Sequence, residues 1–332
     1  KIWKVLDESI AAAPAIEGGG RARTLWPSEA SARPKDVTFG KCQRAAYLRF
    51  KTTHNIPVKL HTGEEVVPDK EDYTAKTLWV FAAGNLFEDM IIKRAILAGV
   101  YAQGHVKFRI PVTDDIAVSG EVDCVFKDPK KNLIGIEIKS VHGHMAEKFV
   151  IGTAAMRAKG LKGKPKDAHL MQSAIYADHY KDQMDCFYLL YIMRGKCFRT
   201  EFKIEVKKVR GKRLIYVDGK KWPYYNLDDV FERFEELAKC IEEDILPPRE
   251  FDLVFDDEKM KDLLKKKDIG RTDAATWQKY FDRIEKHEAG EKVRLLKRPK
   301  DKGNWECSYC DFVKICYDKN NKPHTWPGED DD

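Results

Sequence analysis

The chain has 332 residues, of which 43% are hydrophobic and 34% charged, and a net charge of +6. This is the profile of a soluble globular protein with one large domain or two small ones. It excludes a membrane-spanning protein, because no apolar run approaches the ~20 residues a bilayer requires. The N-terminus has no signal-peptide pattern, and eight cysteines over this length do not make a secreted disulfide framework. The expected setting is therefore reducing and intracellular, cytoplasmic and away from any membrane, and the positive charge is compatible with a polyanionic partner.

Residues 1–37 contain the run AAAPAIEGGGRARTLWP and are expected to form a loosely ordered N-terminal segment. A short helix is expected to start in TFGKCQRAAYLRF. A stronger one is expected in TAKTLWVFAAGNLFEDMIIKRAILAGV, where Leu86, Met90, Ala95 and Leu97 roughly follow helical spacing and Gly99 is the stop. A strand-rich block follows: HVKFRIPV, IAVSG, EVDCVF, a turn at KDPKKN, and LIGIEIKSV. A Gly/Lys-rich stretch runs to about residue 166, and a helix covers AHLMQSAIYADHY. The strands CFYLLYIM, CFRTEFKIEV and RLIYVDG come next, then a helix in LDDVFERFEELAKCIEEDIL that stops at Pro247-Pro248. Residues 251–302 are charged and helical, residues 303–320 hold a cysteine cluster, and residues 321–332 form an acidic tail. Cys124, Cys186, Cys197 and Cys240 lie in apolar or amphipathic contexts and read as ordinary buried residues.

The most informative stretch is SGEVDCVFKDPKKNLIGIEIKS. Side chains alternate between faces along a strand, so Ile134, Ile136 and Ile138 share one face while Glu137 and Lys139 take the other. A DPKKN turn centred near Lys130 pairs the two strands antiparallel and sets Asp123 opposite Glu137, with Cβ atoms ~4.5–5.5 Å apart. Two carboxylates that close repel unless a cation lies between them, and Mg²⁺ favours such oxygen ligands. Lys139 beside them suits orientation of an attacking water or stabilisation of a phosphate. The bland alternative is a surface hairpin whose Glu and Lys simply face water.

The GEVD…EIK sequence resembles the PD-(D/E)XK nuclease signature, a G-x-x-D followed by E-x-K. Upstream, GNLFE (Gly84 to Glu88) resembles the family's helical G-x-x-x-(H/E) motif. Downstream, HLMQSAIY places Gln172 and Tyr176 as in the Q-x-x-x-Y motif of the RecB-like exonuclease branch, and helical spacing puts both on one face. Glu88 stands where the family often has His, which resembles phage-type exonucleases more than CRISPR adaptation nucleases. The resemblance covers roughly residues 38–246 and 303–318. It implies an α/β, restriction-endonuclease-like fold, a mixed central sheet flanked by helices, with the nuclease core in residues 38–250. It further implies Mg²⁺ or Mn²⁺ held by Glu88, Asp123, Glu137 and the carbonyl of Ile138. Lys139 would position the water, and Gln172 and Tyr176 would orient the substrate or the lysine.

Near the C-terminus, WECSYCDFVKIC carries Cys307, Cys310 and Cys316, and Cys42 precedes the aromatic/basic helix KCQRAAYLRF. This is similar to the iron–sulfur RecB-like nucleases, including the AddB type, in which one cysteine precedes the core and three follow it as C-x-x-C-x5-C. The comparison implies a [4Fe–4S] cluster on these four thiolates, forming a C-terminal clasp. Zn²⁺ on the same four ligands is the alternative.

Residues 141–170 hold six Lys/Arg against two acids, and residues 193–221 hold eleven against three. His169, Lys162, Lys164 and Lys166 are the candidate contacts to a phosphate backbone. Phe198, Phe202, Tyr216, Trp222, Tyr224 and Tyr225 interleave the second patch and suit stacking on single strands. The expected activity is metal-dependent exonucleolytic hydrolysis of single-stranded or end-bearing DNA, in replication, recombination, repair or CRISPR adaptation. The host would be a cell or a phage-infected cell. The alternative is a non-catalytic DNA-binding subunit of a helicase–nuclease or recombination complex. The chain has no G-x-x-x-x-G-K-[ST] phosphate loop, so any helicase partner would be a separate chain.

Overall fold

Runs of β-branched and aromatic residues in KFRI, VDCVF, GIEI and FYLLYI favour strands whose two faces can both be covered. The computed structural model describes residues 23–60, 62–68, 74–267, 269–318 and 322–324. The described chain runs β1 (Thr24–Leu25), β2 (Ser31–Ala32), β3 (Phe39–Gly40), α1 (Gln43–Thr53), β4 (Val58–Lys59), β5 (Glu65–Val66) and α2 (Ala75–Leu97). Then come β6 (Tyr101–Pro111), β7 (Ala117–Lys127), β8 (Leu133–Val141), α3 (Gly143–Ala146), a π-helical turn (Glu147–Ile151), α4 (Ala154–Ala158) and α5 (Asp167–His179). The remainder is β9 (Cys186–Met193), β10 (Arg199–Val209), β11 (Lys212–Val217), β12 (Lys220–Lys221), α6 (Leu227–Glu242), α7 (Asp257–Lys266), α8 (Arg271–Glu288), α9 (Trp305–Ser308) and α10 (Val313–Cys316). No helix among the described residues is long and apolar enough to cross a membrane.

The chain divides into two compact units, one of residues Lys1–Val58 and Val67–Pro247, the other of Lys59–Val66 and Pro248–Asp332. The first is an α/β unit built on a mixed sheet in the order β1-β7-β8-β9-β10-β11-β12, with β6 also on β7. The β7–β8 hairpin and the β9–β10–β11 meander are antiparallel. The central β8–β9 pair is parallel, which requires a long crossover, and residues 142–185 supply it, carrying α3, α4 and α5.

Helices flank the sheet. Ile91 and Ile92 of α2 pack on Cys124, Ile136 and Ile138. Tyr176 of α5 meets Phe108 and Phe187 at ring distances of 5.2 and 5.7 Å. The start of α6 is fixed by Asn226 and Asp229 in a reciprocal capping box, and Leu227, Val230, Phe234, Leu237, Ala238 and Ile241 form its buried stripe. The second unit has its own small core of Met260, Trp277 and Phe281, where α7 meets α8.

Several expectations change. Residues 24–37, assigned to a loosely ordered segment, are built into the first unit: β1 pairs parallel with Ala117–Val118, and Leu25, Ala30 and Ala32 are fully buried. Residues 1–22 of that segment and residues 325–332 of the acidic tail lie outside the described residues. The segments IAVSG and EVDCVF are one strand, β7. Gly120 does not break it, because its bare Cα makes room for Phe108 and Pro27, each 3.0 Å from where a Cβ would stand. Leu86, Met90 and Leu97 are exposed on α2, since Ile91 and Ile92 make the packing contact and only Ala95 of the expected stripe is buried. The Gly/Lys-rich stretch contains α3, the π-helical turn and α4, while residues 291–304 carry no helix. Cys197 is exposed in the β9–β10 turn, and Cys186 and Cys240 are half-buried, so only Cys124 of that set is a core residue. Phe202, Trp222 and Tyr225 are also buried, which removes them from any stacking surface.

Candidate active site

The β7–β8 ladder pairs Cys124 with Ile136, which makes Asp123 and Glu137 the next positions on the two strands. Asp123 Oδ2 accepts the Ile138 N–H at 2.6 Å, tying one carboxylate to the backbone beside the other. Glu137 is completely buried, and Lys139 Nζ contacts its Oε1 as an ion pair. Oε2 of Glu137 accepts no hydrogen bond.

Burial, the adjacent Asp123 and, further off, Glu88 disfavour the ionised form of Glu137 against the pull of Lys139. Its carboxyl is pushed up to about 8. Burial likewise raises Asp123 against the pull of Lys139. Glu88, half-buried on α2, is raised first by burial and then by the charge of Asp123. Burial opposes the charge on Lys139, but Glu137 and Asp123 outweigh it, so the amine stays above its ordinary value as an ammonium. Glu88, Asp123, Glu137 and Lys139 are thus mutually within electrostatic reach although three separate elements supply them.

On α5, Gln172 Nε2 donates to the Tyr176 hydroxyl at 2.8 Å. Burial, and next the charge of Glu137, raises the Tyr176 phenol. That couples this helix face to the carboxylates. His169 lies one turn earlier with Nδ1 2.9 Å from the Tyr191 hydroxyl. Burial, followed by the charge of Lys139, holds the imidazole well below its ordinary value, which favours its neutral form.

The basic residues are less available than their sequence suggests. Lys162 is bound to Asp218 at 2.8 Å, and Lys164 to the Tyr224 hydroxyl at 3.1 Å. Lys166 is exposed, while its backbone N–H donates to the Tyr191 hydroxyl at 3.1 Å. Two residues, one on β6 and one on β7, were not anticipated. His105 of β6 pairs with Glu121 at 2.5 Å, and its charge is felt by both Glu88 and Asp123. His105 opens HVKFRIPV and Glu121 lies in GEVD beside Asp123, but only the β6–β7 register brings the two together.

In the second unit, Cys307 lies in α9, Cys310 in the turn after it and Cys316 at the end of α10. The Cys310 N–H donates to the Cys307 carbonyl at 3.2 Å, and Cys307 Sγ is 3.5 Å from the Phe251 carbonyl. Cys42 is in the first unit, at the N-cap position of α1, where its side chain makes no capping hydrogen bond. All four are half-buried. Among the described residues no three His, Cys, Asp or Glu side chains are gathered into a ready metal-holding group. The central donor set nonetheless fits a hard cation chemically: it consists of carboxylate oxygens, one of them buried without a donor. The four cysteines are the donor chemistry of an iron–sulfur cluster or zinc.

No family model matches the chain, and no curated protein does. Among solved structures it is similar to the crystal structure of SSO0001, at 13% identity over 95% of this chain and 96% of that one, with a TM-score of 0.41.

Proposed function

We propose that the chain is a metal-dependent DNA nuclease of restriction-endonuclease-like fold, hydrolysing single-stranded or end-bearing DNA as an exonuclease. The observation that carries this reading is the convergence of Asp123, Glu137 and Lys139 on one buried spot, with Glu88 in electrostatic reach. A carboxylate oxygen buried without a donor costs about 1–3 kcal/mol or more, which a merely structural hairpin has no reason to carry. Glu88, Asp123, Glu137 and the Ile138 carbonyl would hold Mg²⁺ or Mn²⁺. Such an ion, when bound, polarises a phosphodiester and makes water a stronger nucleophile.

The remaining work belongs to the chain itself. Asp123 is steadied by the Ile138 N–H. Lys139 is an ammonium and hence a donor rather than a base, so it orients the attacking water and offsets charge that develops on the phosphate. Tyr176 fixes Gln172, which orients the substrate strand. Lys139→Ala is expected to slow cleavage of a labelled single-stranded oligonucleotide by about 10²- to 10³-fold without changing DNA binding or circular dichroism. Cleavage at the parental rate would sink the assignment.

Cys42, Cys307, Cys310 and Cys316 are proposed to hold a [4Fe–4S] cluster, a reading supported by their spacing and donor type. Protein purified without oxygen should be brown, with about four irons and about four sulfides per chain. A colourless zinc protein would overturn the cluster and leave the nuclease proposal standing.

A further inference from the structure

On the β6–β7 side, the first unit opens a cleft of about 540 Å³ whose wall reaches Glu121, two residues before Asp123. Its walls come from Trp26 in the turn after β1, Lys107 and Arg109 of β6, Glu121 of β7, and Gln172 and Tyr176 of α5. None of the lysines singled out from the sequence lines it.

Three features of the cleft point to a ligand. Gln172 is 8% exposed, and its Oε1 accepts no hydrogen bond because the amide is turned to give its N–H to Tyr176. A buried acceptor without a donor is costly, and the cleft beside it is where a donor can arrive. Lys107 and Arg109 are exposed on the same strand edge, with no ion-pair partner among the described residues. Glu121, the acid in the wall, is already engaged by His105. Trp26 is 37% exposed and lines the cleft with the one indole in its wall among the described residues. Cations, an apolar plane and an orphan acceptor in one cleft match the three parts of a nucleotide unit: phosphate, base face, and an amino or hydroxyl donor.

We propose that this cleft is a nucleotide subsite for a single strand. The backbone phosphate lies against Lys107 and Arg109, the base against Trp26, and a base or sugar donor on Gln172 Oε1. The identity of the polymer rests on the nuclease reading, whereas the site itself does not. Tyr176 lines the cleft and also feels the charge of Glu137, so a strand seated here brings its neighbouring phosphate toward the carboxylates.

The test is fluorescence anisotropy of the full chain with a labelled oligothymidine of about ten nucleotides, a length within single-strand site sizes, without added divalent metal. The Lys107→Ala/Arg109→Ala double variant is expected to bind about tenfold more weakly. The slope of log affinity against log salt should fall by about 1.4, at ~0.7 for each lost phosphate contact. Trp26→Ala should weaken binding by a similar factor with the slope unchanged, and Trp26→Phe should restore it. Parental affinity and slope in the double variant would overturn the subsite. Cleavage is not read in this measurement. An inactive Lys139→Ala variant beside an unaffected double variant therefore rejects the cleft alone. The reverse outcome, Lys139→Ala cleaving normally while the double variant binds weakly, rejects the nuclease alone.

Discussion

Lys51 is a buried ammonium met by Asp244, whose carboxylate also accepts the Tyr47 hydroxyl at 2.9 Å. The hydrogen bond from Lys51 holds the Asp244 carboxyl below its ordinary value of 3.8, partial burial opposes this, and the Tyr47 hydroxyl assists it. A depressed folded-state value gives stability that is present above the unfolded value and lost as pH falls through the folded one. Asp244→Asn should therefore lower stability by about 1–3 kcal/mol at pH 7, because it leaves the Lys51 charge buried without its carboxylate. The gap to the parent should narrow below pH 3.8. Urea midpoints at neutral and acid pH measure both, and a gap that stays constant with pH would contradict the linkage. The central cluster has the opposite sign. There burial outweighs the lysine and pushes the carboxyls of Asp123 and Glu137 up.

Among the elements, β8 and β9 are held by a contact that only a residue without a side chain permits. Gly135 sits opposite Phe187 in the parallel ladder, and a Cβ there would be 2.1 Å from the Phe187 ring and 2.9 Å from the Met184 sulfur. Phe187 is fully buried against Tyr176, so it cannot swing away. Gly135→Ala is expected to cost about 1–3 kcal/mol, visible as a lower urea midpoint. An unchanged midpoint would show that the ring has room. The β8 and β9 strands were legible residue for residue because their alternation and turn signals are local. The buried side of α2 was not, since apolar residues ring that helix and tertiary packing alone decides which of them are covered. The role of β6 was hidden for a similar reason: His105, Lys107 and Arg109 become part of a site only through their register with Ser119–Asp123.

For the whole molecule, a mixed α/β sheet with helices was legible in the sequence, and the division into two units was not. The loop Lys59–Val66 belongs with residues 248–332 although nearly two hundred positions separate them, and no local pattern marks that. Within the first unit, the pieces of the candidate site differ widely in how far along the chain they must be gathered. Asp123 and Ile138 are 15 residues apart and are joined by one hairpin. Glu88 and Gln172 come from helices on either side of that hairpin in sequence. Hairpins close in about 1–10 μs, and non-local docking is slower. The two carboxylates are thus expected to come together while still hydrated, before the helices that dehydrate them arrive. Pulse-labelled amides of β7 and β8 should accordingly be protected ahead of those of α5, and simultaneous protection would contradict that order. Assembly in this sequence would spare the chain from carrying two dehydrated acids side by side into an unfinished fold.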